Sequence, residues 1–125
     1  MSDRRLLDAL DALACVPTGL YVMSSAFEGK RNGVLVRWVQ QCASEPPLIG
    51  VALLKGHAIN PIIRDSRRFG LSLIDANDKL VLRQFTEPRR ANEDPFDCLP
   101  VETLVTGSPI IRRSIAALDC EVVRH

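Results

Sequence analysis

The chain has 125 residues, with 16 Lys and Arg against 15 Asp and Glu, a net charge of +1, 46% hydrophobic residues and only 5% aromatic ones. That length fits one domain spanning residues 1–125 around a single core, and the near-neutral, aromatic-poor composition argues against a dedicated nucleic-acid surface. The start Met1-Ser2-Asp3-Arg4-Arg5 lacks the apolar core of a secretory signal, and no run approaches the ~18 apolar residues of a membrane span, so a cytoplasmic protein is expected. The cysteines, Cys15, Cys42, Cys98 and Cys120, form no C-x-x-C pair, and the histidines are His57 and His125. This argues against a zinc site and predicts buried, reduced thiols.

Ser2 is placed to cap a first helix with Leu6, Leu10 and Leu13 on one stripe and Leu7 beside it, and Pro17 and Gly19 end it. A strand follows over 20–25, a turn over 28–33 and a second strand over 34–39, together a hairpin. Glu45-Pro46-Pro47 interrupts regular structure, since proline donates nothing to a ladder and restricts the residue before it. The nearly unbroken apolar run 48–54 predicts a third strand buried on both faces, as in the wall of a small barrel.

Asn60 is the predicted N-cap of a short helix with Pro61 at its first position. A strand over 69–74 comes next, then a helix capped by Asn77 or Asp78 that carries Leu80, Val81, Leu82 and Phe85. Residues 88–100 read as a charged, proline-containing loop. Near the end, Leu118, Cys120 and Val122 alternate with Asp119 and Glu121, the period of a half-buried strand. Strands joined by tight turns, with scattered short helices, favour a mainly β antiparallel barrel over a doubly wound parallel sheet.

Several motifs are absent. The glycines stand at 19, 29, 33, 50, 56, 70 and 107, which excludes the G-x-G-x-x-G turn; Gly50 and Gly56 are one residue too far apart for a P-loop, and there is no G-x-S-x-G elbow. With no self-sufficient nucleophile and base in view, catalysis would belong to a bound cofactor.

The segment 32–55 holds two apolar runs around the only Trp, two adjacent Gln and a Cys. Together with Val16-Pro17-Thr18-Gly19-Leu20-Tyr21-Val22, residues 55–66, 69–74 and 118–123, it resembles the flavin reductase-like, FMN-binding split-barrel family along essentially the whole chain. The resemblance implies a split β-barrel of Greek-key type, usually a homodimer, with FMN or FAD near the subunit interface and NAD(P)H as a common electron donor. Members of that family normally carry about two further strands past the position of His125, so the resemblance implies either that the chain continues there or that its barrel is completed differently, for instance by a partner subunit.

Carried over position by position, Arg37, Trp38, Val39, Gln40, Gln41 and Cys42 match the stretch along the isoalloxazine and ribityl groups, and Lys55 to Asn60, with Lys55, Gly56 and His57 as the candidate contacts, match the phosphate approach. A flavin ring needs a flat apolar contact plus polar groups at its edge, and a phosphate needs cations or free backbone N–H groups. The chain departs from the family's hydroxyl residues at Leu35, Arg37 and Ile59. Read as residues alone, Trp38 also suits a strand core, Gln40 and Gln41 an exposed turn, Lys55 and His57 a solvated loop, and Cys42 a packed thiol. Two functions remain open on these grounds: a flavin-dependent oxidoreductase, or a noncatalytic flavin-binding or electron-carrying module on the same fold.

Overall fold

The computed structural model describes residues 2–87 and 93–125. In chain order it contains α1 (Asp3–Ala14), β1 (Tyr21–Phe27), β2 (Lys30–Val36), β3 (Val39–Ser44), β4 (Pro47–Val51), α2 (Ile59–Ser66), β5 (Arg68–Leu73), α3 (Lys79–Thr86), β6 (Val101–Thr103), β7 (Pro109–Ile111) and β8 (Ala116–Glu121). The fold is mainly β with three short helices. β2-β1-β5-β8 form a four-stranded antiparallel sheet, and β3-β4 and β6-β7 form two antiparallel hairpins; the described residues form no closed barrel.

The four-stranded sheet lies between two apolar clusters, which follows from the period of two along its strands. Val22 joins Ile74, Val81, Phe96, Leu99 and Ile111 on one face, and Met23 joins Val36, Ile59, Ile63, Phe69 and Leu71 on the other. Helices α3 and α2 therefore cover opposite faces. Polar residues enter this interior only with partners: Ser24 Oγ donates to the carbonyls of Gly70 and Pro109, Ser25 Oγ to that of Arg68, and Ser72 Oγ accepts from the Ile111 N–H. Such pairing removes the penalty of burying a hydroxyl.

The ends of the helices follow the capping rules in two cases of three. Ser2 Oγ accepts the Arg5 N–H at 3.3 Å, and Asp78, one of the two predicted candidates, accepts the Val81 N–H at 3.4 Å. Asp78 also holds the Arg113 guanidinium through two bonds of 2.6 and 2.9 Å, tying α3 to the β7–β8 connection. In α2 the cap is Ala58, which supplies no side-chain bond, so Asn60 is not the N-cap: it already lies in the first turn. Its carboxamide is used elsewhere.

Other expectations are corrected. The turn before β2 is only Glu28-Gly29, at φ 49° and 78°, the double positive φ of a type I′ turn; Asn32 and Gly33 sit in the ladder opposite Ser25 and Ser24. The second strand breaks at Arg37-Trp38, and residues 39–44 form a strand of their own that folds back on β4 across Glu45-Pro46, a cis peptide. The run 48–54 is not buried on both faces: β4 ends at Val51 and is half-buried, because only β3 pairs with it. No residue of α1 is buried, and Leu6, Leu7, Leu10 and Leu13 are 47%, 61%, 51% and 64% exposed. The thiols are not buried either, since Cys15, Cys42 and Cys98 are exposed and Cys120 is intermediate. Residues 88–92 of the predicted 88–100 loop lie outside the described residues, while Phe96 and Leu99 within it are core residues.

Candidate functional site

The β3–β4 hairpin does not extend the main sheet. It leans over one end of it through Val39, Ile49, Val51 and Leu53, which pack against the Met23–Phe69 cluster, and leaves an open groove of about 1270 Å³. Tyr21, Met23, Phe69 and Ile63 give that groove an apolar floor, Leu118 to Val123 border it from β8 and the two residues after it, and Gln41, Lys55, Gly56 and Asn60 bring polar groups to it. An apolar trough with a few convergent polar groups is the usual form of a small-molecule site.

The polar end is built by the loop between β4 and α2. Lys55-Gly56 is a turn in which Gly56 adopts φ 86°, a backbone conformation that side chains disfavour, and a Cβ there would meet open space. The His57 N–H closes this turn only weakly onto the Leu54 carbonyl, and the N–H groups of Lys55 and Gly56 donate to no acceptor among the described residues. Successive free N–H groups beside an ammonium and ahead of a helix make a concavity suited to an anion. His57 Nδ1 accepts the Ile59 N–H at 3.0 Å, so the neutral ring carries its proton on Nε2. Partial burial lowers the His57 pKa from its ordinary value and favours that neutral form.

Of the nine residues singled out from the sequence, the groove brings together Val39, Gln41, Lys55 and Gly56. Gln40 alternates to the other side of β3, and its Nε2 donates to the Gln41 carbonyl. Cys42, read as a packed thiol, is exposed at the irregularity between Gln41 and Ala43, with Sγ donating to the Gln40 carbonyl. Arg37 and Trp38 stand in the β2–β3 connection outside the groove lining; Trp38 is 64% exposed, which rules out the core reading. His57 shapes the loop without lining the groove. Ile59 is fully buried in the Met23–Phe69 cluster and is not among the groove-lining residues. Asn60, the last residue of the 55–60 stretch matched to the phosphate approach, lines the groove and does not cap α2. Among the described residues no group of three or more His, Cys, Asp or Glu could hold a metal ion.

Mainly antiparallel strands, a trough of this size and an anion-suited turn define a small-molecule-binding domain, and comparison with known proteins gives its family. The flavin reductase like domain family matches residues 13–125, and the chain belongs to it. Diflavin flavoprotein A 1 of Synechocystis sp. is 28% identical over 116 residues, covering 92% of this chain and 20% of the relative, so the chain spans about one fifth of that protein's length. The ferric-chelate reductase (NAD(P)H) of Archaeoglobus fulgidus is 25% identical over 118 residues, covering 93% of this chain and 70% of the relative. The structure of the NADH:FAD oxidoreductase SgcE6 of Streptomyces globisporus superposes with a TM-score of 0.84 at 19% identity, covering 99% of this chain and 74% of that one, a likeness of fold.

Proposed function

We propose that residues 1–125 act as a single FMN-binding oxidoreductase domain, with FAD as the alternative flavin and NAD(P)H as the electron donor. The observation that carries this reading is the groove itself. It joins an apolar floor to a turn with two free N–H groups and the Lys55 ammonium, and so offers a flat apolar surface and an anion cradle along one trough. Residues 39–41 of β3 would lie along the ring and ribityl chain, with Arg37, Trp38 and Cys42 flanking, and Lys55, Gly56 and His57 would take the phosphate. The bound flavin supplies hydride acceptance and donation. The protein's own groups bind, orient and shield it, and no side chain here is assigned as a catalytic acid or base.

The same reading includes a homodimer in the cytoplasm and a split barrel of Greek-key type. The exposed leucines of α1 and the unpaired edges of β4 and β8 support a second copy covering this surface. Static light scattering over a wide concentration range checks it, and a monomer throughout contradicts it.

The purified protein is expected to be yellow, or to become so with added FMN. Lys55→Met removes one charge-assisted bond worth roughly 1.5–3 kcal/mol, so FMN affinity falls about ten- to a hundredfold while riboflavin, which lacks the phosphate, is unaffected. No binding of FMN or FAD at micromolar protein rejects the reading. Binding without NAD(P)H oxidation above that of free flavin rejects the enzyme and leaves an electron carrier.

A further inference from the structure

Asn60 has a place in the loop that its sequence neighbours do not announce. Its Nδ2 donates to the Leu54 carbonyl at 3.0 Å and to the His57 carbonyl at 3.3 Å, the first and last residues of the turn that carries Lys55 and Gly56. A turn of this kind is commonly closed by a bond from its fourth N–H to its first carbonyl, and here that bond, from the His57 N–H to the Leu54 carbonyl, is weak. The carboxamide reinforces it. The N–H groups of Lys55 and Gly56, the turn's two central residues, are left without an acceptor among the described residues. Two further contacts hold the same corner: the Asn60 N–H donates to the His57 carbonyl at 3.0 Å, and the Ile59 N–H to the imidazole.

We infer that Asn60 is a positioning residue that clamps the 54–57 turn from outside, so that the N–H groups of Lys55 and Gly56 stay available to an anion at the end of the groove. It acts through Lys55 and Gly56 and not as the dominant contact to the ligand. The inference rests on the flavin reading for the anion's identity, the phosphate of FMN. Asparagine suits the role because one carboxamide nitrogen carries two donors for two carbonyls. Aspartate has almost the same shape and is favoured in the first turn of a helix, yet it offers only acceptors to the Leu54 and His57 carbonyls. Asn60→Asp therefore opens the turn while sparing α2.

The test compares wild type, Asn60→Asp and Asn60→Ala by FMN and riboflavin titration, thermal melting, and the rate of tryptic cleavage after Lys55, a site inside the clamped turn. Both variants are expected to lose FMN affinity at least tenfold with riboflavin affinity and melting temperature held, and to be cut after Lys55 several times faster, with cleavage after Lys79 in α3 unchanged. Equal losses for both flavins accompanied by a lower melting temperature would show a merely structural asparagine and overturn the clamp. So would unchanged cleavage after Lys55 in both variants while the wild type binds FMN, and in that case the flavin reading stands. A wild type that binds no flavin overturns the flavin reading first, and the anion role of the turn with it.

Discussion

β1 and β3 are both short antiparallel strands, yet four successive residues of β1, Val22 to Ser25, are buried and none of β3 is. The difference is not composition alone, because β1 carries two serines in its buried stretch. It lies in what covers each strand. β1 has β2 and β5 as neighbours and a cluster on each face, whereas β3 has only β4 beside it and an open groove below. The central sheet spends its side chains on packing; the hairpin keeps them at a surface where a ligand can meet them.

That contrast gives its largest effect at Phe96. It is 1% exposed, stacks obliquely on Phe85 at 5.4 Å between centroids, and has the Arg31 guanidinium 5.7 Å from its ring centre. Phe96→Ala is expected to lower unfolding stability by about 3–5 kcal/mol, read from the urea midpoint. Trp38→Ala at 64% exposure should leave stability nearly unchanged. Comparable losses at both positions would break the distinction between the two regions.

Two glycines sharpen it at smaller amplitude. A Cβ on Gly70 in β5 would come within 2.7 Å of Ile110 Cδ1 and 2.9 Å of Ser24 Oγ, both in the interior. Gly70→Ala is expected to cost about 1–3 kcal/mol by overpacking. On Gly50 in β4 the nearest atom is Cys42 Sγ at 3.3 Å, and that side chain is exposed and free to turn away. Gly50→Ala should cost well under the Gly70 value in the same denaturation series, and the reverse order would mean that the hairpin packs more tightly than the sheet.

How far the sequence foretold this molecule also divides along the same line. β1, β5 and β8 appear within two or three residues of their predicted places, because each carries a pattern that its two-sided or one-sided burial enforces. β6 and β7 had no counterpart in the reading: three residues are too few to show a period. Phe96 was hidden in a stretch read as charged loop, and the charges turn out to serve it. Asp94 accepts the Phe96 N–H at 2.8 Å and pairs with Arg31, which in turn covers the ring. The run 48–54 looked like a buried wall because apolar content reports affinity for an apolar neighbour without saying whether that neighbour belongs to the chain. Segments 37–42 and 55–60 were legible as a candidate site from resemblance and residue chemistry. The clamp by Asn60 was not, since a carboxamide reaching back six residues to a carbonyl leaves no pattern in the sequence.

Cys120 offers a chemical version of the comparison. Burial, with a smaller contribution from the Asp119 carboxylate, pushes its thiol up to about 11, from an ordinary 9.0. Iodoacetamide at pH 8.5 should therefore label Cys15, Cys42 and Cys98 well before Cys120, as read by mass spectrometry of timed samples. The folded protein holds this proton more tightly than the unfolded chain, so the contribution is complete below pH 9 and is lost as pH rises toward about 11. Labelling of Cys120 at the rate of Cys42 would mean that β8 frays from β5.

The smallest effect belongs to His57, at the border between the two regions. Burial lowers its pKa in the folded state, so on acidification the unfolded chain takes up this proton first. Stability from this group is therefore present above the ordinary value near 6.5 and declines as pH falls toward the lowered folded value, below which both states are protonated and the dependence ends. Protonation of Nδ1 would also remove the acceptor used by the Ile59 N–H. Carboxylates titrate nearby, so the decisive quantity is the stability difference between wild type and His57→Gln, measured by urea denaturation at pH 7.5 and at pH 5. That difference should shift against wild type at the lower pH, because glutamine carries no titrating group. A difference that is constant across the two pH values would place the imidazole in water and remove it from the corner that shapes the turn.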